Sequence, residues 1–181
     1  MAAERDDAAV GHPVVIRSAV EEDAGAIADI YNEAVRTTTA TFDTEPRSLR
    51  DQVQWLKHHD ARHPVLVAEL DGTVVGWSSL SAWSERCAYS GTAELSVYVR
   101  TAWQNRRIGR ALLRAIFKEA SRLGFHTILA RVAEGNPASR RLHLSAGFST
   151  VGVMHEVGYK FDRFLDVELL ECRVGVTQRS P

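Results

Sequence analysis

Residues 94–113 limit the possible folds of this chain more than any other stretch. In its first half the apolar residues Leu95, Val97 and Val99 alternate with more polar ones, which predicts a β-strand with two different faces. A short turn with two adjacent arginines follows, and after it apolar residues recur at helical spacing. The sequence therefore predicts a strand that runs through a basic turn into an amphipathic helix.

A helix that begins in this way can bind an anion. Its first N–H groups have no partner within the helix, and the positive end of the helix dipole points the same way. Most arginine-rich helix starts are only solvated surface, so the turn alone is weak support for a phosphate site. Here the preceding strand also carries the carboxylate of Glu94. The stretch therefore predicts a phosphate-bearing ligand beside a candidate general base.

Length, charge and cysteine content narrow the class of protein. The chain has 181 residues, of which 45% are hydrophobic and 25% charged, and these values suit one globular core. A formal net charge of −1 argues against nucleic-acid binding, which normally needs a basic surface. No apolar run in the sequence is long enough to span a membrane. Cys87 and Cys172 lack metal-ligand spacing, so we expect free thiols, no metal and a cytoplasmic location.

Strand and helix patterns fill residues 14–174, which we expect to form a single domain. We expect residues 1–13 to be a flexible tail and residues 175–181 to be a C-terminal tail. Strands are predicted at 14–17, 65–70, 73–82, 94–99, 127–132, 149–159 and 164–173, helices at 24–35, 49–56, 108–123 and 138–145, and extended backbone in the threonine-rich segment 37–46. This order predicts an α/β (α+β) fold, a mixed sheet of about seven strands with helices on both faces.

The order of these elements resembles a known superfamily. The resemblance is to the GNAT N-acetyltransferases and covers about residues 15–173. It rests on the order of a strand, a basic turn, a long helix, a strand, an asparagine-containing turn and a short helix ending in Gly-Phe. The chain more closely resembles the phosphinothricin acetyltransferases, a group that includes methionine sulfone and sulfoximine acetyltransferases. The matching residues are FDTEP (42–46), WSER (83–86), Tyr89, TAELSVYV (92–99) and RLH (141–143). The resemblance implies the GNAT fold, acetyl-CoA as co-substrate, a small amino-acid-like substrate acetylated directly on its α-amino group, and a homodimer.

In the superfamily a Q/R-x-x-G-x-G/A loop wraps the pyrophosphate of acetyl-CoA, and two registers are possible here. Arg106-x-x-Gly109-x-Ala111 fits the letters, but residues 108–113 look like the helix entry around the second glycine. We therefore favour a loop of Gln104, Asn105, Arg106, Arg107, Ile108 and Gly109, followed by Arg110. Arg107 then stands where the first glycine usually lies, so it must adopt an allowed backbone conformation or contribute its guanidinium.

The resemblance also implies where the rest of acetyl-CoA would lie. It places the pantetheine arm along the strand edge of Val97, Tyr98 and Val99, as an added strand would lie. Asn136 would bond the same arm through its amide. Because Asn136 precedes Pro137 at a strand-to-helix turn, it is also a common type of helix cap, and both roles are compatible.

Two residues are candidates for proton transfer. An amine is mostly protonated at neutral pH, so acetyl transfer needs a proton acceptor, and the resemblance implies that Glu94 is this base, directly or through water. The alternative is a glutamate that faces solvent. At His143 phosphinothricin acetyltransferases carry histidine where many relatives have tyrosine, and an imidazole can serve as acid or base. The alternative for His143 is a histidine satisfied by core packing.

The resemblance places substrate contacts at Arg86, Tyr89 and Phe42, with Thr39 and Thr41 beside them. An arginine fork suits a carboxylate or phosphinate, although an ordinary surface Arg86 and a core Phe42 are the competing interpretations. Phe164 replaces a tryptophan usual in the group, which loses an N–H donor and leaves the pocket shape open.

Two other functions are weighed against this one. The first is acetylation of another amine, such as a polyamine, an aminoglycoside or a protein N-terminus, but a polycationic acceptor would not favour Arg86 in the pocket. The second is a non-catalytic acyl-CoA-binding module, which the joint presence of Glu94, Asn136 and His143 disfavours. The natural substrate is left open by the sequence.

Overall fold

A computed structural model describes residues 13–174, and the two terminal tails predicted from the sequence, apart from Pro13, lie outside the described residues. The strands are β1 (Val15–Ser18), β2 (Val65–Leu70), β3 (Thr73–Ala82), β4 (Thr92–Val99), β5 (Thr127–Ala133), β6 (Ser149–Lys160) and β7 (Arg163–Arg173). The helices are α1 (Ala24–Thr37), α2 (Leu49–His58), α3 (Ile108–Arg122) and α4 (Pro137–Ser145). The strands form one mixed sheet in the order β1-β2-β3-β4-β5-β7-β6. The predicted seven-stranded sheet is confirmed.

Helices cover both faces of this sheet, as predicted. On one face, Val65 and Val67 of β2 pack with Ile27 of α1. On the other face, Leu66 from the same strand packs with Ile116 of α3. Strand β2 thus contributes side chains to two apolar layers, because successive side chains of a strand point to opposite faces.

Strand β4 has the two faces that its alternating sequence predicts. Leu95 lies in the apolar layer beneath α3, and Val97 and Val99 pack against the same side of the sheet. Tyr98 packs on the opposite layer, beneath α1. The polar side of β4 therefore faces away from α3, and Glu94 belongs to that side.

The sheet opens between β4 and β5. On one side β4 pairs with β3 along most of its length, from Ala82↔Ala93 to Gly76↔Val99. On the other side it pairs with β5, in parallel, only through residues 92–94, and Glu94↔Leu129 is the last pair. In the described part of the chain, no strand pairs with the β5-facing edge of β4 after Glu94. A gap in the sheet therefore begins at the carboxylate that the sequence singled out.

In the threonine-rich segment 37–46, Thr37 ends α1, Thr38 has the expected extended backbone with φ −139° and ψ 167°, and residues 38–46 form no strand. The segment's hydroxyl groups bond to nearby backbone: Thr38 Oγ1 donates to the Ala34 carbonyl at 3.0 Å, and Thr41 Oγ1 accepts from the Asp43 N–H at 3.2 Å. Such local bonds compete with strand pairing for the same backbone groups. The segment is held instead by longer-range contacts, among them the Lys160 ammonium, which donates to the Thr41 carbonyl at 2.8 Å.

One of these long-range contacts depends on a glycine in β6. A Cβ added to Gly158 would lie 2.0 Å from Cε2 of Phe42. The aromatic ring of Phe42 therefore rests directly on the backbone of β6. This contact fixes the position of Phe42 relative to the C-terminal hairpin of β6 and β7.

The Gly158→Ala substitution should destabilise the protein by about 1–3 kcal/mol, because the added methyl must displace the Phe42 ring. Gly152→Ala in the same strand is the matched control, since no heavy atom lies within 4 Å of its added Cβ. We expect the control to change the free energy of unfolding by less than about 1 kcal/mol. Urea unfolding of both variants measures the difference, and equal stabilities would contradict the close Phe42 contact.

Candidate active site

A cleft of about 1150 Å³ occupies the gap where β4 and β5 separate. Most of the site residues predicted from the sequence line it. They are Phe42, Glu94, Val97, Tyr98, Val99, Gln104, Asn105, Arg107, Ile108, Gly109, Arg110, Asn136 and His143, with Thr39 and Thr41 beside Phe42. The cleft thus brings the basic turn, the open strand edge and both proton-transfer candidates together.

Four residues considered in the sequence lie outside this lining. Arg86 precedes the exposed 3-10 turn before β4 and Tyr89 is the last residue of that turn, with 44% of its surface exposed. Arg106 turns its guanidinium over the ring of Trp103, with 4.7 Å from Cζ to the ring centroid. Phe164 is exposed and contacts Tyr159 edge to face. The substrate roles of Arg86 and Tyr89 and the loop role of Arg106 stay predictions.

Arg107 adopts the left-handed backbone conformation, with φ 63° and ψ 4°. Glycine reaches this region without strain, whereas a residue with a Cβ does not. This favours the register in which Arg107 takes the place of the first loop glycine. Arg107 therefore takes the glycine's place by adopting the backbone conformation that a glycine would have. Arg107 also lines the cleft.

The start of α3 presents a set of backbone donors to the cleft. Ala111 N–H already donates to the Arg107 carbonyl at 3.0 Å, so the N–H groups of residues 108–110 precede the first regular helix bond. Gly109 allows this end of α3 to approach α4, because a Cβ there would lie 3.0 Å from Leu142 Cδ2. The Gln104 side-chain amide donates to the Val99 carbonyl at 3.2 Å and ties the turn to β4. These donors and the positive helix end fit a pyrophosphate.

Glu94 is held by an arginine that the sequence did not single out. Arg131 Nε donates to Glu94 Oε1 at 2.6 Å, and Arg131 Nη2 donates to Glu94 Oε2 at 2.5 Å. Both side chains line the cleft, and the Arg131 side chain is 53% exposed. The hydrogen bond to Glu94 raises the pKa of Arg131, with burial opposing the effect. A lone cation in the otherwise apolar strand β5 was the sequence signal for this residue.

His143 is buried, and its two ring nitrogens have different surroundings. Nδ1 lies 2.8 Å from the Ser139 carbonyl oxygen, which can only accept, so Nδ1 carries the proton. Nε2 is then a lone-pair acceptor, and it has no hydrogen-bond partner among residues 13–174. Burial lowers the pKa of His143, and the bond to the Ser139 carbonyl offsets this only partly. His143 is therefore neutral at neutral pH, with an unprotonated and buried Nε2.

Asn136 uses half of its amide to cap α4. Its Oδ1 accepts from the Ser139 N–H at 3.1 Å, which is the usual geometry of a helix N-cap. The donor half of the amide, Nδ2, is the half suited to a carbonyl of a bound chain. The cap and the ligand-binding role predicted for Asn136 thus use different atoms.

Neither a cluster of metal-ligating side chains nor a membrane-spanning helix occurs in the described part of the chain. Within residues 13–174, no group of three or more His, Cys, Asp or Glu side chains is arranged to hold a metal ion. None of the helices described for this chain is both long enough and apolar enough to cross a membrane.

Comparison with known proteins identifies the family. Residues 16–169 match the family model of the acetyltransferase (GNAT) domain. The L-methionine sulfoximine/L-methionine sulfone acetyltransferase of Salmonella typhimurium is 37% identical over 165 residues, which cover 89% of this chain and 95% of that protein. The phosphinothricin N-acetyltransferase of Streptomyces viridochromogenes is 35% identical over 155 residues, covering 86% of this chain and 85% of that protein.

A solved structure supports the same assignment. It is that of a GNAT superfamily phosphinothricin acetyltransferase from Sinorhizobium meliloti in complex with acetyl-CoA. It superposes with a TM-score of 0.87 at 29% identity and covers 93% of this chain and 92% of that one. The fold and the family model together define an N-acetyltransferase. The chain belongs to the GNAT family, which confirms the family, fold class and enzyme class predicted from the sequence.

The Arg107→Gly substitution should stabilise the protein by about 0.5–1 kcal/mol. Relief of left-handed strain contributes about 1–2 kcal/mol, and the greater chain entropy of glycine removes about 0.5–1 kcal/mol of it. Arg106→Gly is the matched control, because the φ angle of Arg106 is not positive. The control should instead lose about 0.5–1 kcal/mol. Thermal unfolding distinguishes the two, and a loss of stability in both variants would refute the strain at Arg107.

Proposed function

We propose that this enzyme transfers the acetyl group of acetyl-CoA to the α-amino group of a small amino acid or analogue, of the methionine sulfone, methionine sulfoximine or phosphinothricin type. The observation that carries the proposal is the single cleft that combines the anion-binding start of α3, an open strand edge, Glu94 and His143. The names of the relatives, which are amino-acid-directed acetyltransferases, support the substrate class.

Each part of the cleft suits one part of acetyl-CoA. The N–H groups of residues 108–110 and the side chains of Arg107 and Arg110 would hold its pyrophosphate. The unpaired edge of residues 97–99 would bind the pantetheine arm, with Asn136 Nδ2 donating to it. When bound, acetyl-CoA supplies an acetyl group activated as a thioester. A backbone N–H near Val97 would stabilise negative charge that develops on the carbonyl oxygen.

Glu94 and His143, which both line the cleft, are the residues that would transfer protons. The substrate ammonium must lose a proton before its nitrogen can attack, and the Glu94 carboxylate would accept it directly or through a water molecule. His143 offers a second acceptor at Nε2, fixed in that tautomer by Nδ1 and the Ser139 carbonyl. Because burial lowers the pKa of His143, this acceptor stays unprotonated at a lower pH than an ordinary imidazole.

The Glu94→Gln and His143→Ala substitutions should each lower kcat, by about 10²–10⁴-fold for a lost general base. Glu168→Gln is the matched control, since this carboxylate also binds an arginine through both oxygens but does not line the cleft. Thiol release measures turnover on methionine sulfone, methionine sulfoximine, phosphinothricin and ordinary amino acids. Near-wild-type turnover in both variants would overturn the catalytic roles. Calorimetric CoA binding with no thiol release on any amine would indicate a binding module instead.

We also propose that the enzyme is a homodimer that associates through the hairpin of β6 and β7. β6 is an edge strand, and the hairpin exposes several apolar side chains, which are Val151, Val153, Met154, Val157, Tyr159, Phe161 and Phe164. An exposed apolar edge of this kind usually marks an interface. Met154, Val157 and Phe161 also line the cleft, so a second copy placed here would lie beside the cleft.

The Val153→Asp substitution should convert this dimer into a monomer, because it places a charge among the exposed apolar side chains of the hairpin. Leu49→Asp is the control, since Leu49 is 60% exposed but lies on α2, away from the hairpin. Light scattering measures the mass of each variant in solution. A wild-type protein of single-chain mass, or a Val153→Asp variant that stays dimeric, would contradict the proposed interface.

The cytoplasm is the compartment that we propose for this activity. Acetyl-CoA is a cytoplasmic metabolite, and Cys87 and Cys172 are free thiols, as is usual in a reducing compartment. Fractionation of cells that produce the protein would test the location, and recovery from an oxidising compartment would contradict it.

A further inference from the structure

The ion pair between Glu94 and Arg131 affects how Glu94 can accept a proton from a substrate ammonium. Both carboxylate oxygens of Glu94 accept a hydrogen bond from Arg131, so Arg131 occupies one acceptor site on each oxygen and pairs with the charge that a substrate ammonium would meet. If Glu94 turns toward the substrate ammonium, another anion can take its place on Arg131. The most direct candidate is an anionic group on the substrate itself.

Arg131 is placed to bind such a group. It uses Nε and Nη2 for Glu94, while a guanidinium has five N–H donors and can bind two carboxylates at once or exchange one for another. Its side chain is half exposed and lines the cleft, and the ring centroid of Trp83 lies 5.8 Å from its Cζ. Trp83 therefore supports one side of the guanidinium and leaves other sides open to the cleft.

The other arginines at or near the cleft have different partners or lie in different parts of the site. Arg163 Nη1 donates to Glu134 Oε1 at 2.9 Å. Arg107 and Arg110 belong to the start of α3, where the pyrophosphate would lie. Arg86 is exposed and outside the cleft lining. Among the cleft-lining residues of the described chain, Arg131 is the cation in contact with Glu94.

We propose that Arg131 selects α-amino acids by binding the substrate α-carboxylate while Glu94 faces the α-ammonium group. The proposal rests on the proposed function and refines its substrate class. An α-amino acid carries its cation and anion on the same carbon, and Glu94 and Arg131 present the opposite charges side by side. When the zwitterion binds, the ion pair between Glu94 and Arg131 is replaced by two ion pairs, one between Glu94 and the α-ammonium and one between Arg131 and the α-carboxylate.

The exchange also couples substrate binding to the base. In the free enzyme Arg131 is bonded to Glu94; when the α-carboxylate binds Arg131, it competes for the same N–H donors and frees a Glu94 oxygen. An amine without a neighbouring carboxylate leaves Arg131 on Glu94 and forms only one new ion pair, with Glu94.

The test compares an α-amino acid with its α-carboxamide in the wild-type enzyme and in Arg131→Gln. With methionine sulfone and its α-carboxamide, thiol release should show that the wild type prefers the acid by about 10–100-fold in kcat/KM, the range of one charge-assisted hydrogen-bonded contact. Arg131→Gln should reduce this preference to within about threefold, mainly through a higher KM for the acid. Arg131→Lys should restore part of the preference, because it keeps the charge but loses the planar fork.

A matched control separates this role from a general loss of stability. Arg140→Gln removes an arginine that makes the same two-point contact with Glu168 and is similarly exposed, yet does not line the cleft. It should leave the acid-to-amide preference unchanged, and the thermal midpoint of each variant verifies folding.

Three outcomes overturn the proposal. An Arg131→Gln variant that keeps the wild-type preference removes Arg131 from substrate recognition. Loss of the preference in Arg86→Gln instead would assign the carboxylate to Arg86. A wild-type enzyme that prefers the carboxamide, or acetylates only amines that lack a carboxylate, would refute the proposed function as well. Acetylation of amino acids by the wild type with an unaffected Arg131→Gln ratio refutes the inference alone.

Discussion

The separation of β4 from β5 after Glu94 is the constraint on which the rest of the site depends. Backbone N–H and C=O groups that leave a sheet must find other partners, and a strand edge without a neighbour binds an extended ligand through them. Three residue pairs hold the strands together before the gap, Thr92↔Thr127, Ala93↔Ile128 and Glu94↔Leu129. The last pair places the candidate base at the apex of the cleft, where both strands still fix its position.

The elements around this gap contribute in different ways. The turn before α3 supplies backbone donors, and its left-handed residue directs the chain so that the helix start faces the cleft. Helix α4 supplies His143, whose tautomer is set by the helix's own carbonyl at Ser139. Strand β5 contributes Arg131, and the C-terminal hairpin forms the far wall. A binding site assembled from rigid elements keeps its geometry better than one assembled from loops.

The local parts of this arrangement could be predicted from the sequence, but the pairing of distant parts could not. Alternation along residues 94–99 and the helical period after them are local signals, so β4 and α3 were predicted close to their observed bounds. The Glu94–Arg131 contact joins residues 37 positions apart, and no local pattern reports it. At residues 37–46 β-propensity favoured extended backbone, which Thr38 adopts, but threonine hydroxyls bonded to their own neighbours and no strand formed. The protonation of His143 likewise depends on burial, which only the folded chain defines.

The contact of Phe42 with the Gly158 backbone has a mechanical consequence. Phe42 lines the cleft, and Gly158 lies in the edge strand β6, so one van der Waals contact joins the pocket wall to the outer rim of the sheet. Packed interiors transmit displacement because they contain little free space. A ligand that shifts the aromatic ring by a fraction of an ångström therefore pushes on the rim, and a neighbour seated at the rim restrains the ring in return. In the proposed dimer, the shape of the pocket and the contact between subunits would therefore be mechanically coupled through Phe42 and Gly158.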